Sequence, residues 1–386
     1  CTRQALTCLP GGDTALDNET FKTMVNCTLG GVAPQLREKV GKPVAVPKRG
    51  AARGVLRTDK GLSVPLDALG TNLLAADVGG KRGGFELRHD GFRDALLTEA
   101  RRAKYSVGKE FTFGVGENLS AGQEAMLRGA VAAADLASLA AIPAEELSER
   151  AEEERKAAKA VVDAAVHAGA DAKALRACRG SALGMRVDLR LHHPAGDSKW
   201  RMYEVKSTAF CKSHYRTRWH ACGRSWADWR AKAAVQERYD QAADLDVHLF
   251  KGAQPPPMAS AIGRFEGGVR ALVCGGCCEL NTEAHALLVE LGEAMGTLSA
   301  AESKEDARQC RALEIRGVRQ RVAVQIWRDY QQHINARMQY ADPDGDAKLR
   351  NADEVEQEAA EWQQKAERVH NEWYNQRKRR PQEFGV

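Results

Sequence analysis

Hydrophobic and polar residues alternate most regularly between Met185 and Thr208. Met185, Val187, Leu189 and Leu191 interleave with Arg186, Asp188 and Arg190, a period of two that predicts a strand over 185–191. A second run, Trp200 to Thr208, is rich in aromatic and β-branched residues and predicts its partner; Pro194, Gly196 and Asp197 supply the turn. Upstream, Phe92, Leu96 and Leu97 recur at helical spacing and predict a helix over 90–103. Phe111, Phe113 and Val115 then alternate, so 107–115 reads as a strand carrying Glu110. Residues 120–177 are Ala-rich and helical, interrupted at Ile142-Pro143, where Pro143 suits a helix start. After the central pair come a helix over 225–250, a short apolar strand over 269–274 and helices over 282–295 and 305–340. The tail beyond Glu354 is polar and ends in Arg377-Lys-Arg-Arg380.

With 386 residues, the chain can form one large domain or two ordinary ones. Its 43% hydrophobic content is enough for a core, and no apolar run approaches the roughly 20 residues that span a bilayer. It begins at Cys1, not Met, shows no signal peptide, and is read as a fragment or processed segment. Ten cysteines without framework spacing fit a reducing, intracellular compartment. The net charge of +5 is modest but unevenly spread. Eight basic residues between Arg37 and Lys60, and nine between Lys199 and Lys232, each face only two acids, a local surface suited to a polyanion. The terminal Arg/Lys run reads equally as a nuclear-localisation patch or a solvated end.

The chain contains many acid-x-Lys triplets, including Glu154-x-Lys156, Asp171-x-Lys173 and Glu302-x-Lys304. Glu204-Val-Lys206 differs from them in context. It lies on a strand, follows a strand carrying Asp188 at mid-length, and precedes a helix and another strand. Glu204 and Lys206 point to one face and Val205 to the other. Two carboxylates and an ammonium around one point suit metal-assisted phosphodiester hydrolysis. The plain structural reading of the same residues is a surface hairpin with a cross-strand ion pair.

The order helix, three strands, helix, strand, together with Asp188 and Glu204-Val-Lys206, resembles the PD-(D/E)xK, or restriction-endonuclease-like, nuclease superfamily. The likeness covers roughly residues 88–118 and 180–295, with Val187 standing where many members carry Pro. Leu66-Asp67-Ala-Leu-Gly70-Thr-Asn72, Gly79-Gly80 and Arg88-His89-Asp90-x-x-Arg93-Asp94 are similar to the segment before the nuclease-like domain of retroelement-derived proteins. That segment's usual Cys cluster is absent and Asn72 stands at its His position. The resemblance implies an α/β fold, a restriction-endonuclease-like α-β-β-β-α-β core with a helical insertion and a helical C-terminal extension. It also implies a mobile-element origin, a reverse transcriptase region upstream in the full-length protein, and DNA as partner. Asp188, Glu204 and the Val205 carbonyl would bind Mg2+ (or Mn2+), an ion suited to oxygen ligands. Lys206 would orient the attacking water and offset charge. Glu110 would be an additional acid, with Glu99 the second choice, and Gln236 on the following helix would assist.

These readings divide the chain into a poorly ordered basic segment (1–60), the first part of the core (61–118), a helical insertion (119–179), the core with the motif (180–295) and a helical extension (296–386). Arg216, Arg218, Trp219 and Lys212 mix basic and aromatic character beside the motif and are the candidate DNA contacts. Trp226 and Trp229 are read as helix core. Cys211, His214, His220 and Cys222 have zinc-ligand types but irregular spacing, and are read as loop residues. Cys274, Cys277 and Cys278 are read as the end of a buried strand. Three functions follow: a Mg2+-dependent DNA endonuclease, an inactive nucleic-acid-binding relic of the same fold, and a helix-rich interaction module working through 120–177.

Overall fold

The computed structural model describes residues 16–28, 34–40, 84–112, 119–140, 149–193, 199–207, 224–275, 279–303 and 306–337. In chain order they form α1 (Asn18–Thr28), a 3-10 turn (Pro34–Lys39), α2 (Gly84–Arg102), β1 (Ser106–Thr112), α3 (Ala121–Ala140) and α4 (Glu149–His167). Then follow α5 (Ala172–Ala177), α6 (Arg179–Leu183), β2 (Arg186–His192), β3 (Arg201–Ser207) and α7 (Arg224–Asp244), extended by a π turn (Leu245–Leu249). The last elements are α8 (Pro257–Ile262), β4 (Val269–Cys274), α9 (Thr282–Ser303) and α10 (Ala307–Arg337).

The four strands form one mixed sheet in the order β1-β2-β3-β4. β2 runs antiparallel to both of its neighbours, β1 and β3, and β4 runs parallel to β3. A parallel neighbour needs a crossover, and α7 lies on that connection. β2 keeps the predicted alternation, with Val187, Leu189 and Leu191 buried between more exposed neighbours. β3 lies inside the sheet, so Met202, Tyr203, Glu204 and Val205 are all buried in succession.

Helices cover both faces. On one, Leu189, Leu191, Tyr203, Val205 and Leu272 share a core with Phe92 and Leu96 of α2, Leu288 of α9 and Trp327 of α10. On the other, Ala271 and Val273 of β4 pack on Ala227, Ala231 and Ala234 of α7. The insertion between β1 and β2 joins a further cluster, in which Leu127 of α3 and Leu175 of α5 meet Met202 and Leu245. Val187 belongs to that cluster and Leu189 to the first, so β2 passes from one core to another across Asp188. Among the described residues no helix is long and apolar enough to cross a membrane.

Two expectations change. Within the N-terminal stretch read as poorly ordered, α1 and the 3-10 turn place Met24 and Leu36 fully inside the first core. Trp229, read as helix core, is 51% exposed, because small Ala227, Ala231 and Ala234 take the sheet-facing side of α7 instead. The Trp226 side chain lies outside what is described.

Candidate metal centre at the fork between two strands

The β2–β3 ladder pairs Leu191 with Arg201, Arg190 with Met202 and Leu189 with Tyr203, and then stops. Asp188 and Glu204 are the next residues of β2 and β3 beyond the last pair. In place of a backbone ladder bond, Asp188 Oδ2 accepts the Val205 N–H at 2.8 Å. The two strands therefore form a fork whose crotch is held by a carboxylate.

His89 reaches this fork from α2. Its Nε2 lies 3.2 Å from Asp188 Oδ1 and 3.1 Å from the Val205 carbonyl oxygen. Its Nδ1 lies 3.1 Å from Asp90 Oδ1. Asp90 in turn pairs with Arg93 at 3.0 Å, Arg93 with Asp94 at 3.1 Å, and Asp94 with Lys109 of β1 at 3.0 Å. His89, Asp90, Arg93 and Asp94 thus form a continuous polar chain that reaches Lys109. Burial by itself would push the His89 imidazole down. The hydrogen bond and charge of Asp188, with the bond to Asp90, outweigh burial and the nearby Arg93, raising it above the usual 6.5. Burial likewise pushes Asp188 up, but its bond and charge with His89, the Val205 N–H and the Lys206 charge hold it below the usual 3.8.

Glu204 is handled from the other layer. Its side chain is 2% exposed and carries two cations. Lys206 Nζ lies 2.5 Å from Oε1, and Arg238 of α7 grips both oxygens, through Nη2 to Oε1 and Nε to Oε2, the latter at 3.0 Å. Arg238 Nη1 also donates to Gln241 Oε1 at 3.1 Å. Lys206 stands where its charge acts on Asp188 as well as Glu204.

The remaining predicted residues are placed as follows. Glu110 lies on β1, where the pairs Lys109–Leu189 and Phe111–Val187 bracket it and set its backbone opposite Asp188. Gln236 is exposed on α7, donates to Asp240 at 2.8 Å, and lines a shallow depression with Ser181, Glu237 and Gln241. Glu99 faces away from the fork, in a buried pair with Arg321 of α10 at 2.7 Å. Cys274 ends β4 fully buried, and burial raises its thiol well above the ordinary range. Lys212, Arg216, Arg218, Trp219, Cys211, His214, His220, Cys222, Asn72, Cys277 and Cys278 lie outside the described residues.

Sequence reading missed His89 and Arg238 as members of the site. The first was visible as part of the Arg-His-Asp run. The second sits two positions from Gln236, and which α7 side chain turns towards β3 depends on the packing phase of that helix.

The donors present suit a small hard cation in part. The Asp188 carboxylate and the Val205 carbonyl, which share the His89 Nε2 contact, are oxygen donors of the kind such an ion takes. Among the described residues, no three His, Cys, Asp or Glu side chains stand together as a ligand group, and Glu204 is turned to Arg238 and Lys206. Compared with protein family models, curated proteins and solved structures, the chain matches none.

Proposed function

We propose that this chain is a Mg2+-dependent (or Mn2+-dependent) endonuclease of the restriction-endonuclease-like type, hydrolysing DNA phosphodiester bonds and derived from a mobile element. The observation that carries this reading is the convergence at the β2–β3 fork. The Asp188 carboxylate and Val205 carbonyl approach one imidazole nitrogen, while Glu204 and Lys206 stand on the adjoining strand. The succession α2, β1, β2, β3, α7, β4, with three antiparallel strands and a parallel fourth, supports the fold assignment behind it.

Asp188 and the Val205 carbonyl would hold the metal, with Glu204 as the further carboxylate and His89 steadying the first two. A bound Mg2+ supplies Lewis acidity at a phosphate oxygen and a lowered pKa for a water. The Val205 N–H and Leu189–Tyr203 pairing fix Asp188 in place before any ligand arrives, so this carboxylate needs little reorganisation. Lys206, paired with Glu204 and acting by its charge on Asp188, would offset negative charge that grows on the phosphate. The Asp90–Arg93–Asp94 chain keeps the imidazole oriented.

Nicking of supercoiled DNA by the purified chain tests this reading. Activity should require Mg2+ or Mn2+, and Asp188→Asn and Lys206→Ala should each reduce it by about 100-fold or more. Nicking that survives both substitutions would place the chemistry elsewhere. One observation favours a second reading, an inactive relic that only binds nucleic acid: the double cationic grip on Glu204. It predicts salt-sensitive DNA binding without metal-dependent cleavage.

A further inference from the structure

Among the described residues, Arg238 is the cation at the fork that the proposed chemistry leaves without a task. It takes both oxygens of Glu204 through Nε and Nη2, although Lys206 at 2.5 Å already supplies a counter-charge to the same carboxylate. A nearly fully buried carboxylate needs pairing, but a single cation with good hydrogen bonds meets that need. The second cation over-neutralises Glu204 and, being bidentate, engages both of its oxygens. The guanidinium also keeps an independent anchor, Gln241 Oε1 at 3.1 Å, so it would retain a partner after releasing the carboxylate.

We propose that Arg238 is a lock on the metal centre: it holds Glu204 out of the ligand set, and a divalent cation binds fully only when this pair opens. The proposal rests on the metal-site reading above. Two physical points support it. A guanidinium and a divalent cation on one carboxylate repel each other strongly in a site this dry, so their occupancies exclude one another. A state that must open before binding lowers the apparent affinity by the open fraction. If Arg238 holds Glu204 in nine molecules of ten, its removal tightens metal binding roughly tenfold. Arg238 therefore acts as a positioning residue, through Glu204, and not as a ligand.

The test is Mn2+ binding to the purified full chain, with free Mn2+ followed by its electron paramagnetic resonance signal. Four proteins are compared: the unaltered chain, Arg238→Gln, Asp188→Asn and the double variant. Arg238→Gln should bind Mn2+ about tenfold more tightly, and adding Asp188→Asn should abolish the gain. If Arg238→Gln binds no more tightly while Asp188→Asn still weakens binding, the lock is overturned and the metal site stands. If Asp188→Asn changes binding in neither background, the metal site itself is overturned, and the lock with it. Should Arg238→Gln fail to fold, Arg238→Lys takes its place, because an ammonium keeps the charge but cannot grip both oxygens in the same way. A smaller tightening is then expected, and none at all would overturn the lock.

Discussion

His89 and Asp188 meet at 3.2 Å, the first on the helix packed over the sheet and the second at the point where two central strands part. The same imidazole nitrogen lies 3.1 Å from the Val205 carbonyl, so one side chain ties α2 to both prongs of the fork. Removing it should loosen both. His89→Ala is expected to lower Mn2+ affinity by about 10- to 100-fold and to cost about 1–3 kcal/mol of stability through the Asp188 Oδ1 that loses its partner. Calorimetric titration and urea unfolding read the two effects, and unchanged affinity would remove His89 from the site.

Asp329 of α10 gives the protein a pH dependence of its own. It is buried, its Oδ2 has no hydrogen-bond partner, and the missing Cβ of Gly91 makes room for its carboxyl group against α2. Burial pushes its pKa up to about 7, Asp94 adds to the rise, and the bond from Gln325 and the charge of Arg328 oppose it. The folded state thus holds this proton more tightly than the unfolded chain, whose value is near 3.8. Stability should fall as pH rises from about 4 through about 7 and level off above, since the unfolded state there binds fewer protons. Asp329→Asn removes this loss and should stabilise the protein at pH 8 by roughly 2–4 kcal/mol. Melting curves of both proteins across that range should converge at low pH; parallel curves would contradict the assignment.

Asn281 finishes the edge of the sheet beyond β4. Its Oδ1 accepts the Val273 N–H at 2.9 Å and its Nδ2 donates to the Ala271 carbonyl at 2.8 Å, as a fifth strand would. Asn281→Ala leaves two buried backbone groups unpaired and should cost about 2–4 kcal/mol in urea unfolding. A change below about 0.5 kcal/mol would mean that water replaces the side chain.

Glu99 separates structural carboxylates from those of the fork. It is buried and bound through both oxygens by Arg321, at 2.7–3.1 Å, with Arg102 at 3.1 Å. Glu99→Ala should destabilise the fold by about 3 kcal/mol, because it strands Arg321 between α2 and α10. Mn2+ affinity of the folded protein should stay the same, and a large loss would link this pair to the centre.

Close approach of α9 and α10 makes a further prediction. A Cβ at Gly292 would stand 2.5 Å from the Ile315 Cα, a backbone atom that cannot swing aside. Gly292→Ala should therefore cost about 1–3 kcal/mol despite its better helix propensity. Thermal unfolding measures the balance, and a stabilised variant would show that the two helices can separate.

The elements were legible in the sequence because their signals are local. The alternation around Asp188 and the apolar run ending at Cys274 predict β2 and β4 to within about a residue. Helix ends were less so: the predicted start at residue 90 moves to Gly84, ahead of the Phe92–Leu97 stripe. The N-terminal helix escaped because Met24 and Leu36 become core residues only through packing on distant elements.

By itself, the sequence determined that Asp188, Glu204 and Lys206 lie on neighbouring strands and that Glu204 and Lys206 share a face, since pleat and hairpin connection follow from period and turn residues. Tertiary structure decided who answers each charge. His89 arrives from a helix packed on one face and Arg238 from a helix packed on the other, and neither pairing leaves a trace in local periodicity. Side chains far apart in sequence meet only once both layers have closed on the sheet, and at the fork that closure makes two carboxylates of similar sequence context into one clamped by histidine and one gripped by arginine.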